Sequence, residues 1–215
     1  MTNVAIIYYS GTGNVHKLAV AAAAAAEKSG ADVRLRRVPE LVNESLAPDF
    51  TEWTQAWEEH AAAVRDVALA SVDDLDWADA VLWGTPGRYG LPAAPLKQFI
   101  DQSFALHARR GLVNKVMSAF TSTGTQHGGQ ESTILSLSNV FYHWGAIIVP
   151  PGVVDDIQLA PSNGNPYGVS AVAGLQAVPG HLAENVTDDN LAAIEFQTRR
   201  TIEIATALRK GLSAD

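Results

Sequence analysis

The sequence predicts an α/β domain on a doubly wound, five-stranded parallel sheet of order 2-1-3-4-5, with helices on both faces. Three observations carry this. Short β-branched and apolar runs alternate with helix-patterned stretches along the chain. The first run, Val4 to Tyr9, is apolar or aromatic throughout, as a strand covered on both faces requires. Loops rich in Gly, Ser and Thr follow three of the runs, where an open sheet of this kind keeps its ligand crevice.

Each element follows in order. Val4 to Tyr9 is the first strand, and Asn14 to Lys28 the first helix, whose six alanines, Ala21 to Ala26, allow close packing on a sheet. Gly30 ends that helix, Asp32 to Val38 forms the second strand, and Pro39 closes it. Residues 40 to 78 form an acidic helical insertion, with Trp53, Trp57, Ala61, Val64 and Ala68 on one face at helical spacing. Such a tryptophan pair reads first as packing and second as a subunit interface. Ala80 to Gly84 is strand three, Pro95 to Leu106 a helix, Val116 to Thr121 strand four, and Glu131 to Trp144 a further helix. Ala146 to Val149 is strand five. A Gly/Pro-rich loop from Pro150 to Val186 then leads to a last helix, Asp188 to Lys210, capped by Thr187.

The 215 residues suit a single domain spanning 1 to 215. There is no Cys, which excludes disulfides, thiolate metal sites and a catalytic thiol. The net charge is -8, but residues 40 to 79 hold eleven carboxylates against Arg65 alone, a balance of -10. The remainder therefore sums to +2 and is open to an anion. No basic stripe suggests nucleic acid, no apolar run suggests a membrane span, and no His–carboxylate set has metal-ligand spacing. A cytoplasmic protein is expected.

The crevice should lie between the first and third strands. The loop "SGTGNV" sets Ser10 and Thr12 hydroxyls and backbone N–H groups at a helix N-terminus, a place for phosphate. It lacks the Gly-Lys-Ser/Thr ending of a triphosphate loop, Lys17 coming too late after His16. A dinucleotide reading stays open because Arg34, Arg36 and Arg37 are suited to a 2′-phosphate. In the second loop, "GTPGRYGLPAAP", Tyr89 suits a flat ligand, and Arg88 reads equally as a partner for a phosphate or nicotinamide donor or as a solvated side chain. The third, "TSTGTQHGGQE", offers donors for the polar edge of a heteroaromatic ring. Together they describe a site for a phosphorylated flat ring, best matched by flavin mononucleotide (FMN). His16 and His60 read as solvent-facing, and His127 as a polar loop residue.

"YYSGTGN", "GTPGRYG", "STGTQHGGQE", "HWGAIIVPPG" and "GNPYG", in this order, resemble the WrbA family of flavodoxin-like NAD(P)H:quinone oxidoreductases. The resemblance implies a flavodoxin-like fold, non-covalent FMN, a homotetramer, and two-electron reduction of quinones by NADH or NADPH. It implies that Ser10, Thr12, Gly13, Asn14 and Val15 cradle the phosphate, and that Pro86, Arg88, Tyr89 and Gly90 flank the ring. Ser122, Thr123, Gly124, Thr125 and Gly128 would contact the ring and ribityl chain. His143 and Trp144, from a neighbouring subunit, would line the substrate pocket, with His107 and Tyr89 as further candidates. The chain departs from the common pattern at His143-Trp144, where many members carry two histidines, at His107 for a tryptophan, and at Gly87 for a threonine. An electron carrier docking a basic redox protein through its acidic surface is the alternative reading. The resemblance itself implies hydride transfer through the flavin with ping-pong kinetics.

Overall fold

The structure is a computed structural model that describes residues 1–42, 45–163, 165–174 and 186–212. Strand β1 (Asn3–Tyr8) lies between β2 (Asp32–Arg37) and β3 (Ala80–Arg88), and β3 is followed by β5 (Val116–Thr123), all parallel. The fold is flavodoxin-like. Alternation along β1 divides the core in two. Val4, Ile6 and Tyr8 face α1 (Asn14–Lys28) and α7 (Asp188–Leu212). Ala5, Ile7 and Tyr9 face the layer of α3 (Val72–Trp77), α4 (Ala94–Gln102) and α6 (Gln130–Trp144). This two-sided burial is why the first strand carries no polar residue within Val4 to Tyr9.

The alanine run of α1 does what small side chains permit. Ala19, Ala22, Ala23 and Ala26 are buried in the same cluster as Ala193, Ile194, Ile202 and Ala205 of α7. Thr187 caps α7 as expected, its Oγ1 accepting from the Asn190 backbone at 3.2 Å. The helix over residues 95 to 106 is two helices, α4 and then α5 (Phe104–Ala108), broken at Ser103, whose hydroxyl turns back to the Ile100 carbonyl at 2.7 Å.

The sheet edge differs from expectation. The fifth position is shared by two short pieces, β6 (Ile147–Ile148) beside Val116–Met117 and β7 (Ser170–Val172) beside Thr121–Thr123. The excursion between them includes a 3-10 turn at Asp156–Leu159. Residues 175–185 of the predicted long loop lie outside the described residues, as does Gly164. The edge is held by polar side chains. Gln197 of α7 donates to Ser118 Oγ and the Ala119 carbonyl, both at 2.8 Å, and accepts from the Val169 backbone at 2.8 Å. Asn165 accepts from the Tyr167 and Gly168 backbones, and its amide donates to Ser170 Oγ. Asn165 to Gly168 of the "GNPYG" motif thus build the turn into β7.

Strand β3 runs on past Gly84 to Arg88 and folds back through Tyr89-Gly90 into β4 (Leu91–Pro92). Both turn residues have positive φ, +54° and +76°, as a two-residue hairpin requires.

At the opposite end of the sheet, Asp74 is buried and closes a capping box with Ser71. It also receives Arg34 at 3.1 Å and Arg36 at 3.0 Å. Burial alone would raise its carboxyl, but the Ser71 donors and the two guanidiniums outweigh that and hold it below the usual range. These contacts join β2 to α3, so the arginines read as a possible 2′-phosphate site are committed elsewhere. Arg37 donates to the Val67 carbonyl at 3.1 Å.

Asp74→Ala should cost about 3 kcal/mol, because two partly buried guanidiniums lose their partner. In urea denaturation the difference from wild type should hold above pH ~4 and shrink below it, since a depressed carboxyl contributes stability that is lost on protonation.

Candidate active site

The helices after β1 and β3 go to opposite faces of the sheet, and a crevice opens where they part. Three loops meet there around a cavity of about 250 Å³. Of the residues expected from sequence, Ser10, Thr12, Asn14, Val15, Pro86, Arg88, Ser122, Thr123 and Gly124 line it. Gly11, Gly87, Trp53, Ala173 and Gly174 also line it and were not anticipated. Gly13, Tyr89, Gly90, Thr125 and Gly128 lie beside these positions in the loops without lining the cavity. Tyr89 sits fully exposed at the hairpin tip, 102%.

The first loop is shaped for an anion. Gly13, at φ +100°, swings the chain into α1, and its N–H donates to Ser10 Oγ at 3.1 Å. No side chain caps α1 and no acidic residue stands in its first turn. The first-turn amides therefore face the cavity with no intrahelical acceptor. Two side-chain atoms at the wall, Asn14 Oδ1 and Ser122 Oγ, are buried without any protein partner. Unpaired buried polar atoms on a concave wall beside an uncapped helix N-terminus fit a phosphorylated polar ligand.

The second and third loops approach each other closely. A Cβ on Gly87 would sit 2.7 Å from Thr123 Cγ2 and 2.8 Å from Thr133 Oγ1. That is why glycine stands there, and it brings the β3 hairpin against the start of α6. The threonines of the two strands are tied together, Thr121 Oγ1 donating to the Thr85 carbonyl at 2.7 Å and Thr85 Oγ1 accepting from Ala93 N at 3.0 Å.

The acidic segment carries α2 (Thr51–Ala63) and α3. Only Trp53, Trp57 and Ala61 of the expected stripe lie on the helix, which ends at Ala63 with buried Val64 as its C-cap and exposed Ala68 beyond it; none of the α2 residues is buried, because the stripe lines cavities instead of a core. Trp53 lines the main cavity, while Trp57, His60, Ala61 and Val64 line a second one of about 80 Å³ beside it, with Tyr8, Arg37 and Glu40.

His16 and His60 are not solvent-facing. His16 Nδ1 pairs with Tyr8 Oη at 2.6 Å, and the two imidazoles lie 5.4 Å apart. Burial pushes Tyr8 up to about 12. His60 is lowered to about 4 by burial and by His16, against a hydrogen bond to the Ser10 backbone that favours its charged form, with Arg37 lowering it further. His16 is lowered by burial as well. Nearby, Tyr9 Oη donates to Glu40 Oε2 at 2.5 Å and Trp57 Nε1 to the same oxygen at 3.4 Å. Burial, then Glu40, push the Tyr9 hydroxyl well above its ordinary value.

His107 is exposed on α5, and His143 is exposed at the C-terminal end of α6. Trp144 is 6% exposed, its indole against Trp83 and Phe141 at 5.7 and 6.1 Å. Its side chain is spent in its own core, and a helix of this length sets it ~20 Å from the cavity-side end of α6. Within one chain Trp144 is thus a core residue away from its own cavity; the pocket expected for it is a neighbouring subunit's. His127 is exposed, and Arg109 pairs with Asp76 at 2.8 Å. Among the described residues no cluster suits a metal and no helix is long and apolar enough to cross a membrane.

Because the fold favours neutral His60, its contribution to stability is full above pH ~6.5 and declines as the pH falls towards ~4. Comparison of wild type with His60→Gln by urea denaturation across this range should show the wild type losing the more.

A family model for NADPH-dependent FMN reductase matches residues 2–158. A Deinococcus radiodurans protein named NAD(P)H dehydrogenase (quinone) is 37% identical, over 95% of this chain and 96% of its own length. One of the same name from Paracoccus denitrificans is 40% identical, over 98% of this chain and 97% of its own. Among solved structures, a WrbA-like flavodoxin from Agrobacterium tumefaciens superposes with a TM-score of 0.55 at 20% identity, covering 98% and 99% of the two chains. An archaeal flavodoxin does so with a TM-score of 0.57 at 18% identity, covering 97% and 99%. The fold, the three loops and these full-length matches agree, and the chain belongs to the NADPH-dependent FMN reductase family.

Proposed function

We propose that the protein binds FMN and catalyses the two-electron reduction of quinones by NADH or NADPH. The observation that carries this reading is the pair of unpartnered buried atoms, Asn14 Oδ1 and Ser122 Oγ, on one cavity that an uncapped helix N-terminus also faces. The names of the curated relatives support the quinone acceptor and the nicotinamide donor.

In this reading Ser10, Thr12, Gly13, Asn14 and Val15 hold the phosphate, their hydroxyls and amides taking the place of water. Pro86, Arg88, Tyr89 and Gly90 flank the ring, and Arg88 keeps a positive charge at its edge. Ser122, Thr123, Gly124, Thr125 and Gly128 hold the ribityl chain and the ring's polar edge. Their donors favour negative charge developing there. When bound, the flavin supplies the redox chemistry, taking hydride from the nicotinamide and giving two electrons to the quinone. Nicotinamide and quinone use the same mouth in turn, which gives ping-pong kinetics. We also propose a homotetramer in the cytoplasm, in which exposed His143 reaches a neighbour's site. The large exposed apolar side chains Phe104, Leu91 and Tyr142 support an assembly that covers surface. The carrier alternative rests on the acidic surface alone.

Protein loaded with FMN and given a small excess of NADH without oxygen should lose its visible flavin absorbance and regain it on addition of a benzoquinone. Bound FMN that stays oxidised with both NADH and NADPH would sink the reductase reading in favour of the carrier. Asn14→Asp, which sets a carboxylate at the phosphate cradle, should weaken FMN binding at least about tenfold and leave riboflavin affinity within about twofold, by titration of flavin fluorescence.

A further inference from the structure

Helix α2 has an unusual position: thirteen residues, none buried, with Trp53 lining the principal cavity and Trp57, His60 and Ala61 the second. Trp53 is the one aromatic side chain among the described residues lining that cavity, and the rest are small, polar or aliphatic apart from Arg88. Its indole reaches the floor of the first loop. A Cβ placed on Gly11 would lie 3.8 Å from Trp53 Cζ2, 3.4 Å from Arg88 Nη2 and 3.7 Å from Tyr9 Oη. Trp53 therefore stands on the Arg88 side of the cavity, beside the β3 hairpin.

A helix without buried residues needs another anchor, and here it is Glu40. Its Oε2 takes both the Tyr9 hydroxyl, from the core strand, and the Trp57 indole N–H, one turn beyond Trp53. At the helix start Thr54 Oγ1 pairs with Ser45 Oγ at 2.9 Å and donates to the Ala47 carbonyl at 3.0 Å. The tryptophan is thus held by polar contacts at its own and the next turn, without occupying the core.

We propose that Trp53 is a ligand-binding residue, whose indole forms the aromatic wall against which the planar ring of the bound flavin packs, and that Glu40 is the positioning residue that keeps it there. The inference rests on the flavin reading of the same cavity and names the part of the site that β1, β3 and β5 do not supply. Stacked rings attract through their faces without reference to the phosphate, so the effect belongs to the ring alone. The exposed carboxylates Glu52, Glu58 and Glu59 stay on the outer side of α2.

The test is a fluorescence titration of the full-length protein with FMN and with riboflavin. Trp53→Ala should raise Kd for both about tenfold and to the same extent, by analogy with aromatic stacking on other flat heterocycles. Trp53→Phe should recover most of the affinity. The emission of bound flavin should rise in Trp53→Ala, a signature that a purely structural role would not move. Glu40→Ala should weaken both ligands and Glu40→Gln, which keeps an acceptor oxygen, should restore them. Unchanged affinity and emission in Trp53→Ala, or a loss confined to FMN, would overturn the assignment. Failure of the wild type to bind either flavin would overturn the flavin reading itself, and the assignment with it.

Discussion

The burial of β1 on both faces is the constraint from which the rest of the structure follows. A strand whose alternate residues enter two separate cores must have helices on each side. Right-handed crossovers can supply them only if the chain reverses its direction of travel across the sheet next to β1. That reversal leaves a gap between the helices beyond the ends of β1 and β3. The loops that border it are freed from the ladder, so Ser10 to Gly13 and the β3 hairpin can turn their backbone donors inward. Site and core are two consequences of one pattern of alternation.

Charge is arranged around the same axis. The segment from 40 to 79 holds more than the whole of the chain's excess negative charge, yet its acidic residues have different fates. Asp74 is drawn into the fold by two arginines and a capping box, and it fixes β2 to α3. Glu40 accepts from two aromatic side chains at the margin of the cavity. Glu52, Glu58 and Glu59 remain in water. Consuming Arg34 and Arg36 on Asp74 removes the cations that would suit a second phosphate, and leaves the amides of α1 and Arg88 as the anion-directed groups at the cavity.

Much of this was legible in the sequence because it is local. The period of two in β1, the alanines of α1 and the small-residue loops are each encoded within a few consecutive positions, and the predicted order of the sheet agrees with that found. The parts that were not legible depend on distant contacts. An amphipathic stripe reads the same whether it faces a core or a cavity, so Trp53 and Trp57 passed for packing residues. His16 and His60 are adjacent only because α2 folds over α1, and the separation of 44 positions gives no sign of it. The edge strand is split into ladders of two and three residues, too short to show a period. Trp144 shows the opposite limit: its motif suggested a neighbouring subunit's pocket, while within one chain its place on α6 beside Phe141 puts it in the core.

The site carries polar groups that the fold itself leaves unpaired. At the sheet edge Gln197 and Asn190 have several partners each, although Gln158, Ser162 and Thr198 nearby keep buried atoms unpaired. At the cavity, Asn14 and Ser122 each keep a buried atom unpaired, at a cost of about 1–3 kcal/mol apiece. A non-glycine residue with positive φ sits at the hairpin tip, and the covering helix buries nothing of its own. A ligand that pairs these atoms relieves a cost the protein carries without it, so part of its binding free energy comes from the fold and not from new contact area. By linkage, such a ligand stabilises the folded chain in proportion to the logarithm of its concentration once above Kd. The small-residue loops, whose glycines admit close approach at the expense of conformational entropy, become affordable for the same reason. Cavity, cover and stability are therefore coupled through the same few unpaired groups.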